Sequence, residues 1–333
     1  MSPPTIVDVA ERAGVSVSLV SRALRGLPGV SPARREAILS AADELDFRPN
    51  AAAQALVSGR THLVGVILSD LTNPYHAEVA ASVERALEDV GREALLGNGR
   101  RDGGHQAKLV EVLLRQRVEA IIAITSRLPQ DAIEKASRVV PTIVVGRVDP
   151  RVPGVDTLVG DDEAGVSAAV EHLVELGHER IAHLGGGDRP TVTARRRAYE
   201  AAMRAHRLER WIRVAGESST HDGGRQAVSE LWADDGRFTA LVAANDLMAT
   251  GACAELRARG LAVPEDVSVV GYDDSSLASS FVPSLTSVDQ PFAEITARAI
   301  ELLESRLAGR RRARHEVVAP HLVVRDSTGP PSA

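Results

Sequence analysis

The spacing of apolar residues changes near residue 60, and the two patterns predict two kinds of structure. Between residues 5 and 45 the apolar positions follow a helical period. Ile6, Val9, Ala10 and Ala13 share one face. Val20, Ala23 and Leu24 share a second, and Ala37, Ile38, Ala41 and Leu45 a third. The punctuation agrees with three short helices. Thr5 and Asp8 form a capping-box pattern, Gly14 supplies a positive φ, Ser16 can cap a second helix over about 17–25, and Ser31-Pro32 opens the third.

From His62 onward, short apolar runs alternate with helical stretches. The runs at 62–70, 92–99, 119–125, 142–147, 180–186, 238–246 and 266–274 read as strands. Helices are predicted between them, at about 74–90, 104–117, 162–176, 193–206 and 291–307. Such alternation predicts parallel sheets covered on both faces. About 270 residues is large for one core, so two lobes are expected, split near Asp161.

The first two helices are joined by a tight glycine-containing turn, and the second carries Val17, Ser18, Ser21, Arg22 and Arg25 on its outer face. This is a helix-turn-helix pattern. In that geometry Val17, Ser18 and Arg22 face base edges, where Arg can grip guanine and Val can touch a thymine methyl. Thr5, Ser16, Ser21 and Arg25 lie near phosphates and set register. Spacing alone also allows a plain three-helix cap with a solvated face.

Charge sharpens the choice. The 333-residue chain carries a formal −6, yet residues 1–35 hold five arginines against Asp8 and Glu11, a local +3 over a remainder of −9. A basic head on an acidic body points to a nucleic-acid module. One cysteine, Cys253, excludes a disulfide framework and a cysteine-built metal site. No apolar run approaches the ~18 residues of a membrane span, and the start lacks a signal-peptide pattern. A soluble, cytoplasmic protein is therefore expected.

After Phe47 comes RPNAAAQALVSGRT, in which Pro49 stops the third helix and Asn50 can cap a new one. About two helical turns is marginal alone in water, and by composition the segment reads as a linker.

In the body, polar residues cluster where strands end: Asp70, Thr72, Asn73 and Tyr75, then Gly146-Arg147, Asn245-Asp246 and Asp273-Asp274. Ligands of open parallel sheets bind there. Carboxylates, amides and arginine bridge neighbouring hydroxyls, and a ring such as Tyr75 or Phe292 can cover a sugar's apolar face. Taken singly, Asn or Asp after a strand more often caps the next helix. His172, His178 and His183 fall on a helix, a turn and a strand and read as structural rather than as a metal site. GGGDR at 185–189 lacks the Lys-Ser/Thr of a phosphate loop and reads as a strand-end turn. The basic run at 308–316 reads as a solvated loop. No nucleophile–base arrangement is visible, so no catalysis, metal or cofactor is expected.

The stretch TIVDVAERAGVSVSLVSRALRG, the following VS and LDFRPNAAAQAL closely resemble the start of the lactose/galactose-repressor family of bacterial transcription regulators. D..NPY, GH.RIA at 177–182, ND.MA.G at 245–251, GYDD at 271–274 and P.LT.V.QP at 283–291 resemble that family's sugar-binding-protein-like core. The head departs at Leu19, where the family usually has Thr, and at Arg25, where it often has Asn. The core departs at Ala198, in R..AY for R..G(F/Y).

The resemblance implies a helix-turn-helix domain at 1–48, a hinge helix at 49–60 and a two-lobed α/β body of Rossmann-like lobes at 61–333. The lobes would be 61–160 with 291–320, and 161–290 with 321–328. It adds Asn50, Ala53 and Leu56 as DNA contacts, with Leu56 wedging between base steps in the minor groove. It implies effector contacts at Asn73, Tyr75, Arg195, Asn245, Asp273 and Phe292, with Arg147, Thr193 and Gln290 as further positions. The expected partners are pseudo-palindromic double-stranded operator DNA, a small-molecule effector of carbohydrate type and a second copy of the chain. The ending VVRDSTGPPSA has no leucine heptad, so a dimer rather than a tetramer is expected. A sugar-transport receptor and a sugar-acting enzyme share such a body. The helix-turn-helix pattern argues against the first, the missing nucleophile–base pair against the second.

Overall fold

The computed structural model describes residues 4–48, 60–124, 127–185, 187–234 and 238–332. Residues 49–59, which hold Asn50, Ala53 and Leu56 of the expected hinge, lie outside them. The chain divides into two compact units between Thr61 and His62.

The first unit is three helices, α1 (Ile6–Ala13), α2 (Val17–Leu24) and α3 (Pro32–Glu44). Both halves of the capping box form: Thr5 Oγ1 accepts from the Asp8 N–H, and Asp8 accepts from the Thr5 N–H at 2.7 Å. Gly14 ends α1 at φ 65°, a left-handed conformation that a side chain would strain. Ser16 accepts from Leu19 N–H at the start of α2. Ser31 occupies the N-cap of α3 without a side-chain bond. Val9, Ala10, Val20, Ala23, Ile38, Ala41 and Ala42 form the core. Ala37, expected on the buried face, is exposed, because the stripe of α3 runs 38, 41, 42, 45 at strict helical spacing. So small a core sits near the lower limit for an independent fold. Arg35 reinforces it, donating to the carbonyls of Ala23 at 2.6 Å and Leu27 at 2.7 Å past the end of α2.

The second unit alternates strands and helices. Its first sheet uses β1 (Leu63–Leu68), β2 (Glu93–Asn98), β3 (Ala120–Ile124), β4 (Thr142–Val145) and β5 (Asp156–Gly160). Between these lie α4 (Pro74–Asp89), α5 (Gly103–Arg115) and α6 (Gln130–Val139). Next come α7 (Asp162–Glu175), β6 (Ile181–Leu184), α8 (Pro190–Ala205), β7 (Val214–Ala215), α9 (His221–Asp234), β8 (Ala240–Ala243) and α10 (Asp246–Ala258). The chain finishes with β9 (Ser268–Asp273), α11 (Ser276–Ser280), β10 (Thr286–Asp289), α12 (Phe292–Leu307), β11 (His315–Val318) and β12 (His321–Val323).

The strands form two six-stranded sheets, ordered β11-β5-β4-β3-β1-β2 and β12-β10-β9-β8-β6-β7. Every pairing is parallel except β10 with β12. Each sheet is covered on both faces, as buried parallel strands require. In the first, Val79 and Val83 of α4 and Ala299 and Leu303 of α12 fill one side, while Val110 and Leu113 of α5 fill the other. In the second, α9 and α10 cover one face and α7 and α8 the other. The chain passes between the sheets at 160–162, 289–292 and 318–321.

One buried charge organises the end of the first sheet. Asp156, fully buried on β5, accepts from Arg306 Nε at 2.9 Å, from Arg310 at 2.9 and 3.0 Å and from the Arg314 N–H at 2.6 Å. The basic run at 308–316 is thus not simply solvated. Arg310 belongs to the clamp, whereas Arg311 and Arg312 are exposed.

Candidate functional site

On the head, Val17, Ser18, Arg22 and Arg25 are exposed and Ser21 is half-buried along the outer face of α2. Several of these side chains also make local contacts. The Ser16 and Ser18 hydroxyls lie 3.0 Å apart, Arg25 Nε donates to the Ser21 carbonyl at 3.1 Å, and Arg22 donates to the Pro28 carbonyl at 2.5 Å. Thr5 Oγ1 donates to Asp8, so its hydroxyl proton is used within the cap.

In the body, the carboxyl ends of both sheets open onto one cavity. Its free volume is about 50 Å³, several times the ~10–15 Å³ a water needs. Both sheets have the order in which the first strand sits between the second and third, so the cavity lies at the switch points where such folds bind ligands. Asn73, Tyr75, Arg147, Arg195, Asn245, Asp273 and Gln290 line it.

Two expected contacts lie elsewhere. Thr193 faces a neighbouring cleft with Asp149, Asp188 and Arg197, because it shares the α8 face of Pro190, Ala194 and Arg197 rather than that of the lining residues Thr191, Val192 and Arg195. Phe292 packs half-buried against the core of the first sheet, and Ile295 faces the cavity instead.

Arg195 is the centre of the polar network. Its Nε donates to Asp162 at 3.0 Å, its Nη1 donates to the Ala244 carbonyl at 2.5 Å and lies 3.6 Å from Asp273. Asp273 also accepts from Gln290 Nε2 at 2.6 Å. Its backbone has φ 107°, unusual for a residue with a side chain and common where a site stores strain. Asn73 and Asn245 both cap helices, accepting from the N–H of Tyr75 and of Met248. Capping uses only the amide oxygen, so a helix cap and a cavity wall are compatible roles.

The carboxylates differ. Burial, reinforced by the charge of Asp273, pushes Asp246 up to about 8. Burial likewise raises Asp273 to about 6, against the pull of Arg195. Asp246 does not line the cavity. It accepts from Ser275 and Ser287, while Asp274 turns away to pair with Arg325 at 2.5 Å. Burial depresses His76, another lining residue, to about 4, so it is neutral near pH 7.

Arg101, Asp162 and Arg189 also belong to the site and went unread in the sequence. Arg189 stands at the strand-end position that flagged Arg147, but the glycines before it read as a turn. Ser219, fully buried beside the cavity, accepts from Asn245 and Arg101 through its carbonyl and from Arg101 and Arg189 through its hydroxyl. Polar contacts join the two lobes. Arg147 of the first lies 3.2 Å from Asp162 of the second, Arg101 reaches Ser219, and Glu78 accepts from Ser276 N–H at 3.0 Å.

His172, His178 and His183 each bond to different groups: Thr328, then Thr239 with Ser268 and Gly329, then the Val242 carbonyl. Among the described residues no helix is long and apolar enough to cross a membrane.

Comparison with known proteins places these two sites in one context. The model for bacterial regulatory proteins, lacI family, matches residues 5–50, and that for a periplasmic binding protein-like domain matches residues 170–328. The HTH-type transcriptional regulator DegA of Bacillus subtilis strain 168 is 32% identical over 98% of this chain and 98% of its own length. The chain belongs to the lacI family of bacterial regulatory proteins. As a lacI-family protein it is a DNA-binding transcriptional regulator, and its relatives are regulators, not enzymes. The lac repressor dimer bound to operator and the anti-inducer ONPF matches with a TM-score of 0.87 at 28% identity, covering 98% of this chain and 100% of that one. The regulator CelR in complex with cellobiose matches at 0.73 and 32% identity, covering 97% and 99%.

Proposed function

We propose that this lacI-family member is a repressor whose operator affinity is set by a small molecule, a sugar or sugar derivative, bound between its lobes. The observation that carries this reading is the cavity: it draws polar residues from both sheets and is spanned by lobe-to-lobe contacts at Arg147, Arg101 and Glu78. A ligand there couples to lobe closure through whichever contacts differ between closed and open states. The cellobiose complex of CelR supports a sugar.

The head at 1–48 reads DNA through Val17, Ser18 and Arg22, with Thr5, Ser16, Ser21 and Arg25 on phosphates. Residues 49–60 act as the hinge, contacting DNA through Asn50, Ala53 and Leu56, and 61–333 bind effector and pair two chains. A helix-turn-helix reads only a few base pairs, so a homodimer on a pseudo-palindromic site supplies affinity. The lac repressor dimer on its operator supports that assembly. The protein acts in the cytoplasm, where its DNA lies.

The test selects a duplex from a random pool with the full-length protein, then titrates it by fluorescence anisotropy with and without each sugar that raises the melting temperature. A shift of about 5–150-fold in DNA affinity is expected. Failure to enrich any duplex, or sugars that bind without moving DNA affinity, would overturn the reading.

A further inference from the structure

The charges around the cavity are unevenly matched. Arg147 and Arg195 face Asp162 and Asp273. At the other end, Arg101 and Arg189 both donate to a single neutral atom, Ser219 Oγ. Among the described residues Arg101 has only a distant carboxylate, Asp70, whose Oδ2 lies 3.9 Å away while its Oδ1 accepts from Thr72 N–H and Oγ1. Arg189 has no carboxylate partner among the described residues, and its Nε is buried without a hydrogen-bond acceptor. Arg127 lies close enough for its charge to act on both, and its Nε is likewise buried and unpartnered. Burial and then the charges of Arg101, Arg127 and Arg195 pull Arg189 down to about 10. Two guanidiniums converging on one hydroxyl repel each other unless an anion lies between them.

The local backbone adds to this. Arg189 is the N-cap of α8 and makes no side-chain cap bond, while Thr191 and Val192 of the first turn line the cavity. The positive end of a 16-residue helix therefore faces the same place as the two guanidiniums.

We propose that the effector is an acid: a polyhydroxylated molecule whose carboxylate or phosphate sits between Arg101 and Arg189 at Ser219, with its hydroxyls on Arg195, Asp273 and Asn245. The inference rests on the effector-cavity reading above and narrows it from sugars to sugar acids or sugar phosphates. Arg101 comes from the first lobe, Arg189 and Ser219 from the second, so the acid group ties the lobes together. Its charge replaces repulsion with charge-assisted hydrogen bonds in the closed state alone.

The test is calorimetric titration of the full-length protein with gluconate, glucuronate and glucose 6-phosphate, each beside glucose or sorbitol, at low and high salt. At least one acid should bind ten times more tightly than its neutral parent, and the arm that does so separates carboxylate from phosphate. Arg189→Gln should erase the preference, and Arg189→Lys should keep part of it. A neutral parent that binds as tightly as the acids, or no binding by any acid, overturns the proposal. DNA affinity measured in parallel separates the two readings. An acid that binds yet leaves DNA affinity unchanged sinks the regulatory role and supports the acid site. A neutral sugar that alone shifts DNA affinity does the reverse.

Discussion

The guanidinium carbon of Arg195 lies 3.5 Å from the centre of the Tyr272 ring, while the same group bonds Asp162 and reaches Asp273. One planar cation thus serves a ring face and two carboxylates in a fully buried place. Lysine cannot reproduce that fork, and would leave a buried carboxylate without its partner. Arg195→Lys is expected to lower unfolding stability by about 2–4 kcal/mol in a urea titration. A loss below about 0.5 kcal/mol, no more than an ordinary surface change, would contradict this account.

The Asp246–Asp273 pair should make stability fall as pH rises. In the unfolded chain these groups release protons near the ordinary value of 3.8, whereas burial holds Asp273 near about 6 and Asp246 near about 8. Between those limits the folded state binds more protons, so the contribution is complete below the ordinary range and lost as pH climbs through about 6 to about 8. Melting temperature followed across that window should decline, and Asp246→Asn should flatten the slope. An unchanged slope in the variant counts against the raised Asp246 carboxyl as its source.

Asp156 works in the opposite sense. Burial pushes its carboxyl up, but hydrogen bonds from Arg310 and the Arg314 N–H, with the charge of Arg306, hold it below the ordinary range. Its contribution is present above that range and is lost as pH falls through the depressed value. Asp156→Ala strands two guanidiniums, and a cost of about 3–5 kcal/mol is expected. Chemical denaturation near neutral pH measures it directly.

The contact between α9 and α10 depends on backbone proximity. A Cβ at Gly251 would lie 1.8 Å from the His221 carbonyl oxygen, and one at Gly224 would lie 2.0 Å from that of Met248. Neither obstacle is a flexible side chain. Gly251→Ala should therefore destabilise the body by about 1–3 kcal/mol or more through overpacking. Wild-type thermal stability in that variant would show that the helices can separate without cost.

Leu56→Ala tests the hinge. If Leu56 wedges between base steps, the variant keeps its melting temperature but binds the selected duplex at least tenfold more weakly in a salt-controlled titration. Equal affinity removes the wedge from the mechanism.

The head was legible because its signals are local. A cap at Thr5–Asp8, a glycine at φ 65° and an apolar stripe each act within a few residues. The strands of the two sheet centres were legible for a similar reason, being continuous apolar runs. β2, at a sheet edge, was read as well, whereas β5, β7, β10, β11 and β12 were not. β5 begins on a charged residue, β7 and β12 are two and three residues long, and β11 is largely exposed at a sheet edge. Their partners are set by distant chain, as when Arg310 finds Asp156. The cavity divided along the same line. Asn73, Arg147 and Asn245 follow strands directly and were readable, whereas Arg101 and Ser219 matter only because two lobes bring them together. Phe292, the first residue of α12, packs half-buried against the core of the first sheet, a placement set by that helix and not visible in its sequence neighbours.

The first sheet closes with β11 and is packed by α12, both from the last fifth of the chain. On the ribosome, domains ordinarily fold in the order they emerge. Here the lobe begun first stays without an edge strand and one covering helix until residue 318 has been made. The second lobe, too, waits for β12 a few residues later. Synthesis of this regulator thus brings both halves of its body to maturity almost together, and a product terminated before residue 318 contains no finished lobe that could compete for effector.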